Sequence, residues 1–237
     1  MPESEHAQLL LSGEITSCDL VPEGSNYTFL VTLSANGTQR HAIYKPQRGE
    51  APLWDFPSGS LYWREVAAYL ASEALGWHLV PPTVIREGPY GLGAVQLFID
   101  AQPDANFFTF RDERPTDLMR FALFDVLVNN ADRKGGHCLM DRDGRIWSID
   151  HGLTFHAEPK LRTVIWDYSG QAIPRPMRDD LAGLQQQLRQ PQGAVRALLD
   201  LLSSEETAAL HRRLHHLLDS GVFPAPGPGR NIPWPPV

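Results

Sequence analysis

This sequence has few cysteines, no long apolar runs, and fewer basic than acidic residues. The two cysteines, Cys18 and Cys138, are too few for a disulfide framework and are typical of a reducing compartment. No apolar stretch approaches the ~20 residues that a membrane-spanning helix needs. The first residues are acidic, unlike a signal peptide. We therefore expect a cytoplasmic protein without a transmembrane segment.

The formal net charge is -7, with 21 Lys and Arg residues against 28 Asp and Glu residues. Such a chain does not attract nucleic acid or an anionic membrane surface over long distances, so we expect no nucleic-acid partner. A local basic site for a lipid headgroup remains compatible with this charge. The 237 residues can bury a sizeable core as one domain or two lobes, and we expect a monomer.

Several catalytic signatures are also missing. The sequence has no G-x-S-x-G elbow of a serine hydrolase and no G-K-[ST] of a phosphate-binding P-loop. It also lacks the C-x-x-C and H-E-x-x-H spacings of common zinc sites. The sequence therefore does not indicate a serine hydrolase, a P-loop nucleotide-binding protein or a common zinc site.

The informative stretch, residues 128–155, reads V-N-N-A-D-R-K-G-G-H-C-L-M-D-R-D-G-R-I-W-S-I-D-H-G-L-T-F. An apolar run at helical spacing precedes it, and Asn129-Asn130 is predicted to end that helix. A polar loop with Asp132 follows, and a hairpin through Asp143-Gly144 then leads to Asp150. A carboxylate in the loop and another at the end of the hairpin can converge. Phosphoryl transfer needs such a pair, one to orient the attacking hydroxyl and one to hold a metal ion.

The D-R-K-x-x-H loop followed by I-D-H-G resembles the catalytic loop and metal-binding motif of the phosphatidylinositol 3/4-kinase-like superfamily. That group includes the HipA-type toxin kinases and the atypical secretory-pathway kinases. The resemblance covers roughly residues 12–156 and is greatest to the phosphatidylinositol-kinase-like proteins of actinobacteria. It implies an α+β, two-lobed protein-kinase-like fold. The β-rich N-lobe with one helix would span residues 1–99, and the mainly helical C-lobe with a Pro-rich tail would span residues 100–237.

The resemblance also implies roles for the loop residues. Asp132 would orient the acceptor hydroxyl, and Arg133 and Lys134 would neutralise charge that develops on the transferred phosphate. Asp150 would bind Mg²⁺ or Mn²⁺ together with ATP. His137 departs from the pattern, because most relatives have an asparagine there. Three roles stay open for it: a ligand to a softer metal ion, a donor to a phosphate oxygen, or a plain loop residue.

The N-terminal half is predicted to supply the partners of this site. The segment from Leu9 to Leu20 is predicted to be a strand, and a later strand ends at Lys45. A helix from about Ser60 to Leu75 carries Glu65 in its second turn. In the superfamily a helical glutamate holds the strand lysine on the nucleotide phosphates. The alternative is that Glu65 is an ordinary solvated helix residue.

Two further segments complete the predicted nucleotide site. A turn between the first two strands would cover the phosphates with backbone N–H groups, although alone it reads as an ordinary hairpin turn. This turn comprises Gly24, Ser25 and Asn26. A second segment, at the end of a later strand, is predicted to form the hinge between the lobes that reads adenine. The hinge comprises Gln96, Leu97, Phe98 and Ile99.

Two alternatives accompany this interpretation. A zinc site is disfavoured, because its donors lack any known spacing and Cys138 falls in a predicted buried strand. Its donors would be His137, Cys138, Asp150, His151 and His156. A pseudokinase would keep the fold and bind nucleotide and metal as a regulatory or scaffold module. For an active enzyme we favour a protein or small-molecule acceptor over a lipid. The Pro-rich tail is expected to pack on the surface through Trp234.

Overall fold

The computed structural model describes residues 3–22 and 26–237. The strands within these residues are β1 (Glu14–Val21), β2 (Thr28–Ala35), β3 (Thr38–Pro46), β4 (Thr83–Gly88), β5 (Gly91–Leu97), β6 (Cys138–Met140) and β7 (Ile146–Ser148). The helices are α1 (Glu3–Ser12), α2 (Leu61–Ala74), α3 (Phe107–Phe110), α4 (Pro115–Val128), α5 (Arg175–Arg189), α6 (Gly193–Leu201) and α7 (Ser204–Ser220).

The N-terminal part is built on a five-stranded antiparallel sheet with the order β1-β2-β3-β5-β4. Side chains alternate along β2, so that Phe29, Val31 and Leu33 are buried on one face. The β2–β3 turn places Asn36 and Gly37 at positive φ, which suits a tight hairpin. The sheet therefore brings the end of β3, which carries Lys45, beside the beginning of β5, where Ala94 is its partner.

The beginning of the chain differs from the prediction. Residues Leu9 to Ser12 belong to helix α1, and the first strand begins only at Glu14. Leu9 and Leu10 are buried in the apolar cluster of the sheet. Leucine favours helices, and the β-branched residues that favour strands begin only at Ile15. The N-terminal part thus has two helices, α1 and α2, where one was predicted.

Helix α4 is the centre of the larger core. Leu118, Phe121, Phe124 and Leu127 are fully buried along it and pack in one cluster with residues of α2, α5, α6 and α7. Asn129 ends the helix in the left-handed conformation with φ 54°. The buried helix therefore fixes where the following loop, which contains Asp132, begins.

The architecture is α+β, as predicted, with an antiparallel sheet followed by a mainly helical part. The division into lobes at residues 99 and 100 stays a prediction. Among the described residues, no helix combines the length and apolar character needed to cross a bilayer.

The C-terminal segment crosses back over the helical part. The carbonyl oxygen of Asn231 accepts hydrogen bonds from Thr163 N at 3.0 Å and Trp166 Nε1 at 3.1 Å. Further along, the carbonyl oxygen of Pro236 accepts from Gly135 N at 2.7 Å. The tail therefore contacts the loop that follows Asp132.

The anchor of this tail differs from the one predicted. Trp234 is 78% exposed, whereas Pro233 is buried. Backbone hydrogen bonds therefore hold the segment, and the indole contributes little packing.

Candidate active site

Lys45 lies between two carboxylates that come from different parts of the chain. Its Nζ is 2.5 Å from Glu65 Oε1 on α2 and 2.8 Å from Asp150 Oδ1, which follows β7. Burial alone would lower the pKa of Lys45, but the charges of Asp150 and Glu65 raise it above its ordinary value. The ammonium group is therefore charged at neutral pH.

Glu65 uses both of its oxygens. Oε1 pairs with Lys45, and Oε2 accepts a hydrogen bond at 2.9 Å from the backbone N of His151. Its side chain is only 3% exposed, so an unpaired carboxylate there would be strongly destabilising. The glutamate thus connects α2, β3 and the segment after β7, and it is not a solvated helix residue.

Asp150 occupies an unusual backbone conformation. Its φ is 59°, the left-handed region that a non-glycine residue rarely adopts and that is frequent at functional sites. Its side chain remains 47% exposed. The nearby charge of Lys45 holds the pKa of Asp150 well below its usual range, with His137 adding to this effect. The carboxylate is therefore ionised, with one face open to solvent.

His137 faces the second oxygen of Asp150. Its Nε2 lies 3.2 Å from Asp150 Oδ2, and its side chain is 15% exposed. Burial lowers the pKa of His137 to about 4 despite the neighbouring carboxylate, and the charges of Arg133, Lys45 and Lys134 add to the lowering. The imidazole is therefore neutral near pH 7, and its Nε2–H donates to the ionised Asp150 while Nδ1 accepts from Lys134 N at 3.5 Å. A metal ion at Nε2 would require the other tautomer, with the proton on Nδ1.

Asp132 lies on the same face of the loop as Lys134. Lys134 Nζ is 3.4 Å from Asp132 Oδ2, and the Asp132 backbone N donates to Asn130 Oδ1 at 3.0 Å. Burial raises the pKa of Asp132, although the charge of Lys134 opposes this change. A carboxylate with a raised pKa is a better proton acceptor.

The side chain of Arg133, to which the resemblance gave the role of neutralising charge on the phosphate, is buried inside the protein. Its side chain has no exposed surface, and its Nε is 3.0 Å from Asp125 Oδ1 on α4. Its Nη1 donates to Ile149 O at 2.9 Å, and its Nη2 contacts Ser148 Oγ at 2.6 Å and His151 Nε2 at 2.8 Å. All three guanidinium nitrogens are engaged inside the protein, so Arg133 organises the loop and does not reach a phosphate.

The predicted hinge is only partly available to a ligand. Gln96 is buried, and its Nε2 donates to Thr83 Oγ1 at 2.9 Å. The backbone N of Leu97 donates to Pro82 O at 2.9 Å, and that of Phe98 donates to a carbonyl of β3 at 3.1 Å. The backbone N–H groups of Leu97 and Phe98 are thus already hydrogen-bonded within the protein. Ile99 is the next residue whose amide could form a hydrogen bond with adenine.

The predicted phosphate-covering turn is described only at its last residue. Gly24 and Ser25 lie outside the described residues. Asn26 Oδ1 accepts a hydrogen bond from Ala51 N at 2.7 Å. This contact ties the turn to the connection between β3 and α2.

Beyond His137 and Asp150, which lie together, the donors of the alternative zinc site are engaged elsewhere or protonated. The Nε2 of His151 contacts Arg133, and the Nε2 of His156 contacts the carbonyl oxygen of Asp55 at 2.9 Å. Burial raises the pKa of Cys138 to about 12, so its thiol stays protonated. In the part of the chain that the structure describes, no three His, Cys, Asp or Glu side chains form a metal-binding group.

Sequence reasoning missed Asp125 and Ser148, which hold Arg133 from either side. Asp125 also accepts hydrogen bonds from Asn130 Nδ2 at 3.0 Å and from Thr163 Oγ1 at 3.1 Å. One signal was present in the sequence, since Asp125 is a charged residue inside the apolar helix segment F-A-L-F-D-V-L-V.

No protein-family model matches the sequence. Protein Rv2133c of Mycobacterium tuberculosis is 40% identical over an alignment of 268 positions, gaps included, which covers 98% of this chain and 95% of that protein. This chain belongs to the family of Rv2133c. Phosphatidylinositol 4-kinase gamma 4 of Oryza sativa subsp. japonica is 29% identical over 128 residues, which cover 46% of this chain and 23% of that kinase.

Solved kinase structures share the fold. The Golgi casein kinase with Mn and ADP bound matches 92% of this chain and 74% of its own, with a TM-score of 0.58 and 14% identity. Hydra Fam20 with sugar matches 90% and 86%, with a TM-score of 0.57 and 16% identity. The Helicobacter pylori proinflammatory kinase CtkA matches 90% and 94%, with a TM-score of 0.52 and 12% identity. The predicted kinase-like fold is thereby confirmed.

The buried pair of Asp125 and Arg133 makes a testable prediction about stability. Asp125→Ala should lower the free energy of unfolding by about 3–5 kcal/mol, because it leaves a guanidinium buried without its counter-charge. Asp117→Ala on the same helix is the control. Asp117 is 42% exposed and 3.6 Å from Arg120, and loss of such a surface pair should cost less than about 1 kcal/mol. Urea unfolding of both variants measures the difference, and equal losses would contradict the prediction.

Proposed function

We propose that this chain is an ATP-dependent phosphotransferase of the phosphatidylinositol-kinase-like, atypical kinase type. The observation that carries the proposal is the position of Lys45, with its Nζ 2.5 Å from Glu65 and 2.8 Å from Asp150. A lysine that a buried helical glutamate holds beside an exposed carboxylate is the arrangement that grips nucleotide phosphates in kinases. Asp132, on the neighbouring loop, supplies the group that such an enzyme needs for the acceptor.

The site fits a divalent metal ion. Asp150 Oδ2 and His137 Nε2 are 3.2 Å apart, and adjacent ligands of one octahedral ion at ~2.1 Å stand at a comparable separation, ~3 Å. Asp150 and His137 would hold the ion, with nucleotide phosphate and water as further ligands. Bound there, the ion would neutralise phosphate charge. The structure of the Golgi casein kinase, which has this fold, contains Mn and ADP.

The residues of this chain then divide the reaction between them. Lys45 binds the nucleotide phosphates, and Glu65 keeps its ammonium group in place. Asp132 orients the acceptor hydroxyl and takes its proton as the acceptor oxygen bonds to the γ-phosphorus and the bond to the β-phosphate oxygen breaks. Lys134 balances the charge of Asp132 and of the transferred group. Because Arg133 is fully buried, we give it a positioning role and not a contact with phosphate.

The acceptor that we propose carries a hydroxyl group on a protein or small molecule. The net charge of -7 disfavours long-range attraction to an anionic membrane surface, which would assist a lipid kinase. The likeness to the rice phosphatidylinositol 4-kinase covers 46% of this chain, and the solved neighbours include kinases of other kinds. One kinase scaffold serves several acceptor classes, so the fold does not choose among them.

Nucleotide binding is the first test of this proposal. ATP with Mg²⁺ or Mn²⁺ should raise the melting temperature, because a ligand of the folded state stabilises it by mass action. Lys45→Ala and Asp150→Asn should each reduce the rise. Arg175→Ala is the control, since Arg175 is 92% exposed and pairs at 3.8 Å with Asp179 on the same helix, α5. No rise in the wild-type protein at millimolar ATP with either metal would refute both the kinase and the pseudokinase interpretations.

The role of Asp132 separates the enzyme from a pseudokinase. We expect slow ATP hydrolysis or autophosphorylation in the wild type and at least a ~100-fold loss in Asp132→Asn, because asparagine cannot take the proton. Nucleotide affinity should be retained, since Asp132 lies on the acceptor side. Turnover is measured by ADP release. Equal rates in the two proteins would exclude Asp132 as the base, and no turnover with any acceptor would favour the nucleotide-binding module.

The metal preference tests His137. Imidazole is a softer ligand than an amide oxygen, so activity should favour Mn²⁺ over Mg²⁺, and His137→Asn should shift the preference toward Mg²⁺. Since the pKa of His137 is about 4, the imidazole is neutral throughout pH 6–8, and the ratio of wild-type to variant rates should not change across that range. A wild-type rate that rises relative to the variant below neutral pH would instead indicate a protonated imidazole that donates to phosphate.

A further inference from the structure

Arg64 precedes Glu65 on α2 and connects this helix to two other parts of the molecule. Its side chain is fully buried, although it carries a charge. Its Nη1 donates to the carbonyl oxygen of Thr154, in the segment that follows Asp150. Its Nη2 lies 2.5 Å from Glu206 Oε1 on α7. One guanidinium therefore joins α2 to this segment and to a C-terminal helix.

The partner carboxylate is itself fixed at both oxygens. Glu206 is the third residue of α7, and its Oε2 accepts a hydrogen bond at 2.9 Å from the backbone N of Ser203. The Ser203 hydroxyl in turn accepts from Glu206 N at 3.2 Å, which completes a capping box. The helix cap thus aims the other oxygen, Oε1, at Arg64.

The surroundings of Arg64 restrict it further. Its guanidinium carbon lies 4.4 Å from the ring centre of Trp63 and 5.0 Å from that of Phe56, within the range of cation–π contact. Its Nε is 3.4 Å from Ser60 Oγ. Because the planar guanidinium group of Arg64 has partners on several sides, its position is well defined.

Arg64 adds an anchor at the first turn of α2, whereas Ala67, Ala68 and Ala71 further along the helix pack in the larger core. The connection before α2, residues 47–60, forms neither helix nor strand apart from a single turn at Gln47–Gly49, and it holds the start of the helix through Glu50 Oε1, which accepts a hydrogen bond from Tyr62 N at 2.8 Å. Glu65 is buried, and a carboxylate tends to leave an apolar environment for water when it can. A small displacement of α2 would separate Glu65 from Lys45.

We propose that Arg64 and Glu206 form a latch that positions α2, so that Glu65 holds Lys45 on the nucleotide phosphates. Arg64 and Glu206 touch no substrate, and both are positioning residues. The inference rests on the proposed function only in the role of Lys45 as the phosphate-binding group.

The test compares Glu206→Gln and Arg64→Met with Ser203→Ala. The first two variants break the ion pair. Ser203→Ala removes the capping hydroxyl and weakens α7, but it keeps the backbone N that orients Glu206. Two measurements are made on the full chain. One is hydrogen–deuterium exchange of the α2 amides without ligand, and the other is the affinity for ATP with Mn²⁺ and for adenosine.

We expect faster exchange across Leu61–Ala74 in Glu206→Gln and Arg64→Met, and unchanged exchange there in Ser203→Ala. The affinity for ATP should fall by about fivefold to tenfold in the two latch variants, whereas the affinity for adenosine, which has no phosphate, should stay the same. In a Lys45→Met background, Glu206→Gln should have no further effect on ATP affinity, because the lysine that the latch positions is gone.

Failure of the latch and failure of the proposed function give different results. A wild-type protein that does not bind ATP refutes the function, and the exchange of α2 still decides on the latch. A wild-type protein that binds ATP, with latch variants that match Ser203→Ala in exchange and affinity, overturns the latch. If Arg64→Met does not fold, the milder Glu206→Gln keeps the test complete.

Discussion

The ion pair between Arg133 and Asp125 is the contact on which the geometry of the site depends. Asp125 belongs to the rigid central helix α4, and Arg133 belongs to the loop that carries Asp132. The same guanidinium bonds to Ile149 O, directly before Asp150. One buried cation thus sets the distance between the two acidic residues that the proposed chemistry uses. Because the charges are desolvated, each group needs every one of its partners, and the loop has few alternative positions.

The charges of the site are consistent with the proposed binding of a metal cation together with nucleotide phosphates. Three carboxylates meet two ammonium groups, and the imidazole of His137 is neutral because burial keeps its pKa near 4. The carboxylates are Glu65, Asp132 and Asp150, and the ammonium groups are Lys45 and Lys134. Without ligand the lysines neutralise most of the acidic charge. A divalent ion would relieve the remaining repulsion between carboxylates and leave Lys45 able to bind phosphate.

Much of this arrangement could be predicted from sequence, because local signals specify it. Proline, asparagine and glycine mark the ends of α4 and α2, and a lysine at the end of a strand is easily recognised. Arg133 could not be placed in this way, because the polar loop around it gives no sign that its side chain turns inward toward α4. For a similar reason the sequence could not show which hinge amides are available, since only the pairing of strands shows that the amide of Leu97 is already used. Helix α1 was missed because a short run of leucines fits either a buried helix or a strand.

The path of the C-terminal segment has a practical consequence for work with this protein. The carbonyl oxygen of Pro236 accepts a hydrogen bond from Gly135 N, three residues after Asp132, so a peptide fused behind Val237 would begin two residues beyond a contact with the loop that carries Asp132. A purification tag at that end could displace the tail from this loop, and it would then alter the binding or activity that the proposed experiments measure. A tag placed ahead of α1 joins the chain at the helix that packs on the sheet and leaves the Pro236 contact as it is.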